Sequence, residues 1–297
     1  MKTTTKAWLG ASALLALVVA LIGYRIKTAE PSYQGKSLSE WVEMINQNTT
    51  FETSLRSNSN TVQVAEAVRA MGTNALPELL TMLDAEESSV HKWIRKINRR
   101  QNYVKIPIGP EPERSRMQAE AAFTLLGAIA KPAIPQLVAR LENTNQAFRV
   151  VVLLVGIGPD AYPQLLQALR HTNSVIRGEV ARGIGWHGTN ASFAVPSLTS
   201  LLSDQDETVR LWAVSALERI KSDPEKTIPA LIKVLADPDP SVVWYAIRSL
   251  GEFGTNAASA LPALQQLQAR TNRDKDLSDL IKEAIERISP PPPPARH

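Results

Sequence analysis

One arrangement of apolar and polar positions recurs along most of this chain. Pro163, Pro196, Pro229 and Pro262 stand 33 residues apart. Pro135 precedes Pro163 by 28 residues, and Pro77 precedes Pro135 by 58, which leaves room for one more unit and an insertion. A leucine follows each proline at the second position: Leu79, Leu137, Leu165, Leu198, Leu231 and Leu264. Upstream, Val209 matches Val242, Ala213 matches Ala246 and Leu217 matches Leu250, while Arg149, Arg177 and Arg210 each follow a bulky apolar residue.

Each unit reads as two helices. In "VRLWAVSALERI", residues Val209, Ala213, Ala216, Leu217 and Ile220 follow helical spacing, and the small ones allow close approach. The second helix, of the "IPALIKVLAD" type, takes its proline in the first turn, where a missing N–H costs nothing. Asp204 and Asp237 end one unit and are expected to cap the next helix. The string Gly-Thr-Asn-Ala occurs at Gly72–Ala75, Gly188–Ala191 and Gly254–Ala257, where it reads as the turn inside a unit. Glycine tolerates the left-handed conformation at a helix end. Thr and Asn are expected to cap the second helix with side-chain oxygens, and the alanine to begin it in close packing. A period near 33 with two helices per unit predicts an all-α chain, an α-solenoid of about six helical-hairpin repeats.

The flanks differ. The uncharged stretch Ala7–Tyr24 lies between Lys2/Lys6 and Arg25/Lys27. At about 1.5 Å per residue it spans about 27 Å, close to the roughly 30 Å of a hydrocarbon core. Trp8 and Tyr24 sit at its ends, as interfacial aromatics do. We read residues 1–30 as an N-terminal transmembrane or signal-anchor helix and expect a single-pass membrane protein with an extracytoplasmic, periplasmic body. Secretion after signal cleavage is the alternative, although Tyr24-Arg25-Ile26-Lys27 is a poor cleavage site. Residues 31–60 hold a capping helix, opened by the capping box Ser37-Leu38-Ser39-Glu40, and a polar linker, Asn48–Asn60. The repeats run over 61–288, where the charged helix "DLSDLIKEAIERI" closes the far end. Residues 289–297 form a proline-rich, polyproline II tail.

Charge sharpens this division. Residues 117–297 carry eighteen basic and eighteen acidic residues, whereas 89–116 carry eight basic and two acidic. The excess marks a basic insertion at 89–116. Its string "VHKWIRKINRR" puts Val90, Trp93, Ile94 and Ile97 on one helical face and basic residues on the rest. The absence of cysteine excludes disulfides, thiolate metal sites and a cysteine nucleophile.

The pattern Pro-x-Leu, Leu-x-Asp, Val-Arg-x-x-Ala, Leu, clearest over Pro196–Leu217, resembles the HEAT-repeat superfamily, specifically its short bacterial, phycobilin-lyase-like type. "YQGKSLSEWV" at Tyr33–Val42, behind an anchor, is similar to the start of membrane-anchored bacterial HEAT proteins of unknown function. The resemblance implies the fold. It implies little about activity, since that superfamily hosts scaffolds, lyases, hydroxylases and glycosylases. Val243 and His171 replace the expected Arg and Asp and weaken an Asp–Arg ladder locally.

Catalytic chemistry finds no motif. His91, His171, His187 and His297 have no adjacent Glu and no shared ligand spacing, and read as surface residues. Asp237 and Asp239 read as turn caps. We expect no cofactor and no metal. Three surfaces could bind a partner. The basic helix offers Lys92, Trp93, Arg95, Lys96, Arg99 and Arg100 to an anionic membrane, a polyanion or a protein. Leu211, Trp212, Trp244 and Tyr245 form an apolar set on two first helices. The second helices carry Gln136, Gln164, Gln167, Ser197, Ser200, Lys233 and Gln266 as a candidate concave face, whose near-absence of charge argues against nucleic acid there. The resulting reading is a membrane-anchored, non-enzymatic scaffold for an unknown protein partner. The alternatives are a lyase-like HEAT enzyme or chromophore-binding protein, and a basic nucleic-acid or polyanion binder.

Overall fold

The computed structural model describes residues 30–45, 59–87, 89–100, 111–271 and 274–290. The expected anchor at Ala7–Tyr24, most of the linker and the proline tail beyond Pro290 lie outside the described residues. Two compact units divide the chain, 1–132 and 133–297.

The first unit opens with a two-stranded hairpin, β1 (Ser32–Tyr33) and β2 (Lys36–Ser37), turned by Gln34 and Gly35 at φ 49° and 79°. The periodicity gives no sign of it. Ser37 then caps α1 (Leu38–Glu43) in the expected capping box, accepting from the Glu40 N–H while the Glu40 carboxylate accepts from the Ser37 N–H at 2.8 Å. Helix α1 buries Leu38, Trp41 and Val42. Trp41 Nε1 donates to the Tyr33 carbonyl at 2.9 Å, which ties helix to hairpin. Then follow α2 (Ser59–Met71), α3 (Leu76–Leu83), α4 (Ser89–Arg100) and α5 (Pro112–Leu126). Ser59 and Asn60, expected in the linker, already begin α2. Helices α2, α3 and α5 pack around Val64, Val68, Leu79 and Phe123, each at most 2% exposed. Helix α4 makes little contact with the other helices.

The second unit alternates two kinds of helix. One layer holds α7 (Thr144–Ile157), α9 (Ser174–Trp186), α11 (Glu207–Ile220), α13 (Pro240–Glu252) and α15 (Lys275–Ile288). The other holds α6 (Ile134–Ala139), α8 (Tyr162–Ala168), α10 (Val195–Leu201), α12 (Pro224–Val234) and α14 (Leu261–Arg270). In α6, α8, α10 and α14 proline sits in the first turn as expected. Pro229 departs from this: Pro224 starts α12 earlier and leaves Pro229 inside the helix.

Small residues set the spacing of the first layer. A Cβ on Gly183 would lie 2.7 Å from Val151, and one on Gly185 would lie 2.6 Å from the Ala216 Cα. Neighbouring first helices therefore meet almost backbone to backbone, while second helices touch one another sparsely.

The Gly-Thr-Asn-Ala turns answer one expectation and correct another. Gly72, Gly188 and Gly254 take φ of 56°, 54° and 57°, the left-handed value that ends the first helix. Ala75, Ala191 and Ala257 are fully buried. The Thr and Asn side chains, however, do not cap the second helix. The backbone runs on through a short 3-10 turn, and the residues preceding α3, α10 and α14 are Ala75, Ala194 and Ala260, with no side-chain cap.

Asp204 and Asp237 are also corrected. The caps of α11 and α13 are Asp206 and Asp239, two residues later. Asp204 instead accepts both Nε and Nη2 of Arg177 at 2.8 and 2.6 Å, and Asp237 accepts those of Arg210 at 2.7 and 2.9 Å. Each aspartate also takes the backbone N–H of the following cap, at 3.0 Å and 2.9 Å. Each arginine donates its remaining Nη1 to two backbone carbonyls of the preceding turn. These are the two rungs of the Asp–Arg ladder. The next position upstream is His171 and the next downstream is Val243.

Candidate functional site

The first-helix layer of the second unit carries a row of aromatic and arginine side chains. Arg182 on α9 lies over the Phe148 ring on α7 at 4.1 Å and the Trp212 ring on α11 at 5.2 Å. Trp186 on α9 meets Phe148 edge to face at 6.0 Å and sits under Arg219 of α11 at 5.4 Å. On α13, Arg248 lies 5.6 Å from Trp244 and 4.9 Å from Tyr245, which contact each other edge to face at 5.3 Å. Helical spacing puts Arg182 and Trp186, and likewise Trp244 and Arg248, on one face, and the stacking of neighbouring first helices brings the other partners to them. Trp186 is 61% exposed and Trp244 is 39% exposed.

Carboxylates meet most of these cations. Arg248 Nη2 contacts both oxygens of Glu218 at 3.0 Å, and Ser249 Oγ donates to Glu218 Oε2 at 3.0 Å. Arg182 pairs with Glu179, and Arg287 with Glu252 and Glu283. The hydrogen bond from Lys221 holds the Glu252 carboxyl below its usual range, helped by the bond from Arg287, and together they outweigh burial. The Nε atoms of Arg182 and Arg248 are covered and find no acceptor among the described residues. Their guanidinium planes are given over to the rings instead. The row is thus apolar at its contacts and nearly balanced in charge.

Of the expected apolar set, Trp212 joins Arg182, and Trp244 and Tyr245 join Arg248 on the next helix, while Leu211 is half-buried. Sequence reasoning missed Phe148, Arg182, Trp186, Arg219 and Arg248. The signal was available in the repeat columns: Trp186, Arg219 and Glu252 are 33 residues apart, and Arg182 and Arg248 are separated by two such steps. The second-helix residues Gln136, Gln167, Ser200, Lys233 and Gln266 are exposed and Gln164 and Ser197 half-exposed. They lie on the loosely spaced layer, so the tight spacing favours the first helices as the inner side of this unit.

His187 is not the surface residue expected. It is half-buried, with Nε2 3.0 Å from the Val152 carbonyl, and burial pushes its pKa down while that bond pulls it up less strongly. Among the described residues no group of three or more His, Asp or Glu is arranged to hold a metal.

The basic helix α4 is rearranged relative to its sequence reading. Arg95 does not belong to an outer surface. Its side chain is 17% exposed, with Nε on Glu87 at 2.6 Å and Nη1 on Glu111 at 3.2 Å. Trp93, expected with Ile94 and Ile97 on one apolar face, is 60% exposed beside Lys92, Lys96 and Arg99, while the two isoleucines are half-buried. Arg100 ends the helix.

Residues 149–218 and 195–286 match the family model for HEAT repeats. Residues 149–286 are HEAT repeats. Among solved structures, Kap121p bound to Nup53p is 13% identical, with a TM-score of 0.51 over 85% of this chain. The likeness covers 29% of Kap121p and shows a shared fold. The complex of CpcE and CpcF of phycocyanin lyase from Nostoc sp. PCC7120 is 20% identical over 82% of this chain and 96% of that chain, with a TM-score of 0.33. An engineered protein is 19% identical over 84% and 96%, with a TM-score of 0.38. Scores at that level add nothing to the fold assignment. No curated protein sequence matches the chain.

Proposed function

We propose that this chain is a membrane-tethered, non-enzymatic scaffold whose repeats form an α-solenoid of about six units. It holds a protein partner against the first-helix face of its HEAT repeats. One observation carries the reading: exposed Trp186 and Trp244 and half-buried Trp212 and Tyr245, interleaved with Arg182, Arg219 and Arg248. Trp, Tyr and Arg are the residues that concentrate binding energy at interfaces. Here the guanidinium groups are held by stacking and by carboxylates before any partner arrives, so little side-chain entropy remains to be lost. The tether is the stretch Ala7–Tyr24, whose length and flanks fit a bilayer. It puts the body on the extracytoplasmic side. A lyase-like or chromophore-binding reading would require a cavity with converging polar groups. The small cavity beside Trp244 is lined by Arg248, Glu252, Glu283 and Arg287, but these charges are spent on ion pairs within the protein.

The test is site-specific photo-crosslinking in native membranes with the full chain. A crosslinker at Ser241, one turn before Trp244, is expected to capture one protein of a single mass. Crosslinkers at Gln167 and Lys233 on the second helices are expected to capture none. Trp212→Ala with Tyr245→Ala should abolish the product. Equal capture from both layers, or capture that survives the double substitution, defeats the proposal.

A further inference from the structure

Helix α4 shows an outer face that the scaffold reading does not use. It carries five lysines and arginines, a histidine and no acidic residue. Arg95 ties one edge of it to Glu87, before the helix, and to Glu111, just before α5. That pairing fixes which way the helix is rolled. Ser89, Lys92, Trp93, Lys96 and Arg99 are exposed, with Lys92 and Arg99 one turn to either side of Arg95. Among the described residues, Lys92, Lys96 and Arg99 have no hydrogen bond or ion pair. Lys92 and Arg99 also border, with Arg95 and Arg116, a cavity whose rim carries Glu86, Glu87, Glu111 and Glu113, and neither Lys92 nor Arg99 pairs with those carboxylates.

We propose that this outer face of α4 lies on an anionic phospholipid surface. Lys92, Lys96 and Arg99 take the headgroup phosphates, and Trp93 sits among the headgroups. The chemistry fits in three respects. Three unpaired cations on one face match a surface of negative charge, and long basic side chains reach phosphate while their stems cover apolar surface. Tryptophan favours the headgroup level, where one end of the ring is wet. Next to Trp93 on the helix, Ile97 and Ile94 are only half covered by the protein, so a shallow apolar contact is at hand. A soluble polyanion would satisfy the cations but leave that apolar edge in water. The proposal concerns the first unit and stands whether or not the aromatic row binds a protein. It adds a second membrane contact to the tether.

Because the chain has no cysteine, one introduced thiol reports alone. The full chain carrying Ser89→Cys, labelled with an environment-sensitive dye, is reconstituted in phosphatidylcholine vesicles with and without phosphatidylglycerol. The tether holds the chain on both kinds of vesicle, and the dye at position 89 reports the surroundings of α4 rather than those of the tether's own basic flanks. The emission should shift to the blue, and iodide quenching should fall, only when phosphatidylglycerol is present. High salt should reverse both, since it shortens the reach of each charge. Each cation contributes about fivefold to partitioning, so Lys92→Gln, Lys96→Gln and Arg99→Gln together should lower it about a hundredfold. Unchanged circular dichroism would show that the fold survives, and the same dye at Ser259→Cys should stay silent. Equal emission in the two lipids overturns the proposal. So does a phosphatidylglycerol response that persists in the triple variant. A response to added heparin or RNA without one to lipid also overturns it, and makes the face a polyanion site.

Discussion

Replacing Asp237 by Asn should cost the HEAT repeats more than any surface ion pair could. Asp237 is 5% exposed and Arg210 10% exposed, so both charges have left water. The carboxylate receives Nε at 2.7 Å, Nη2 at 2.9 Å and the Asp239 N–H at 2.9 Å. An amide keeps the shape but presents an NH2 group to a guanidinium. Arg210 is then a buried cation with one acceptor fewer, and breaking such a pair typically costs about 3–5 kcal/mol. For a domain of this size, a loss of about 4 kcal/mol lowers the melting temperature by about 8–16 °C. Urea titration read by circular dichroism gives the free energy, and hydrogen exchange should localise the loosening to α11 and α13, because a repeat contacts chiefly its neighbours. A loss of Asp237→Asn stability within about 1 kcal/mol, the range of exposed pairs, would refute the reasoning. The companion variant Arg210→Met with Asp237→Leu removes both charges and should recover most of the loss.

Two further outcomes follow from the same geometry. Burial alone would raise the carboxyls of Asp204 and Asp237, but hydrogen bonds and attraction from Arg177 and Arg210, with the backbone N–H groups of Asp206 and Asp239, hold both below the usual range. Their contribution is therefore complete above the unfolded value of about 3.9 and is lost as pH falls through the lower folded value. The urea midpoint should drop over that acidic window, and less steeply in Asp237→Asn. Gly185→Ala places a Cβ 2.6 Å from the Ala216 backbone, which no rotamer change can relieve, so α9 and α11 must separate at a cost of about 1–3 kcal/mol. A melting curve like that of the native chain would show the first helices to be less tightly seated.

Much of this architecture could be read from the chain because its repeats write the same physical demand several times. The leucines two residues after each proline are buried without exception, from Leu79 to Leu264. Periodicity finds such positions, since burial in a helix recurs with the helix. It failed where two polar residues compete for one task. Asp204 and Asp206 are both able to cap, and only the position of Arg177 across the turn decides that the first becomes a salt-bridge partner. It failed again at Arg95, whose place among basic neighbours suggested solvent, because Glu87 and Glu111 approach it from outside its own helix. The aromatic row was half legible. Trp212, Trp244 and Tyr245 stood out as large residues, whereas Arg182 reaches Trp212 from the adjacent helix, a contact with no local signature, and only Arg248 stacks within its own helix.

The two rungs of the ladder also carry a mechanical meaning. Arg177–Asp204 and Arg210–Asp237 each bind the start of a first helix to the turn closing the next second helix, and both lie in the middle of the second unit. At Val243 and His171 the buried rung is missing, and the stack relies on the more exposed pairs Arg287–Glu252 and His171–Glu142. A pulling load shared along the HEAT repeats therefore meets unequal stiffness. The seams beyond α13 and before α9 should yield first, as short extensible segments, while the block from α9 to α13 moves as one piece. A partner gripping the aromatic row would span that block, and so would feel a rigid plate set between two springs.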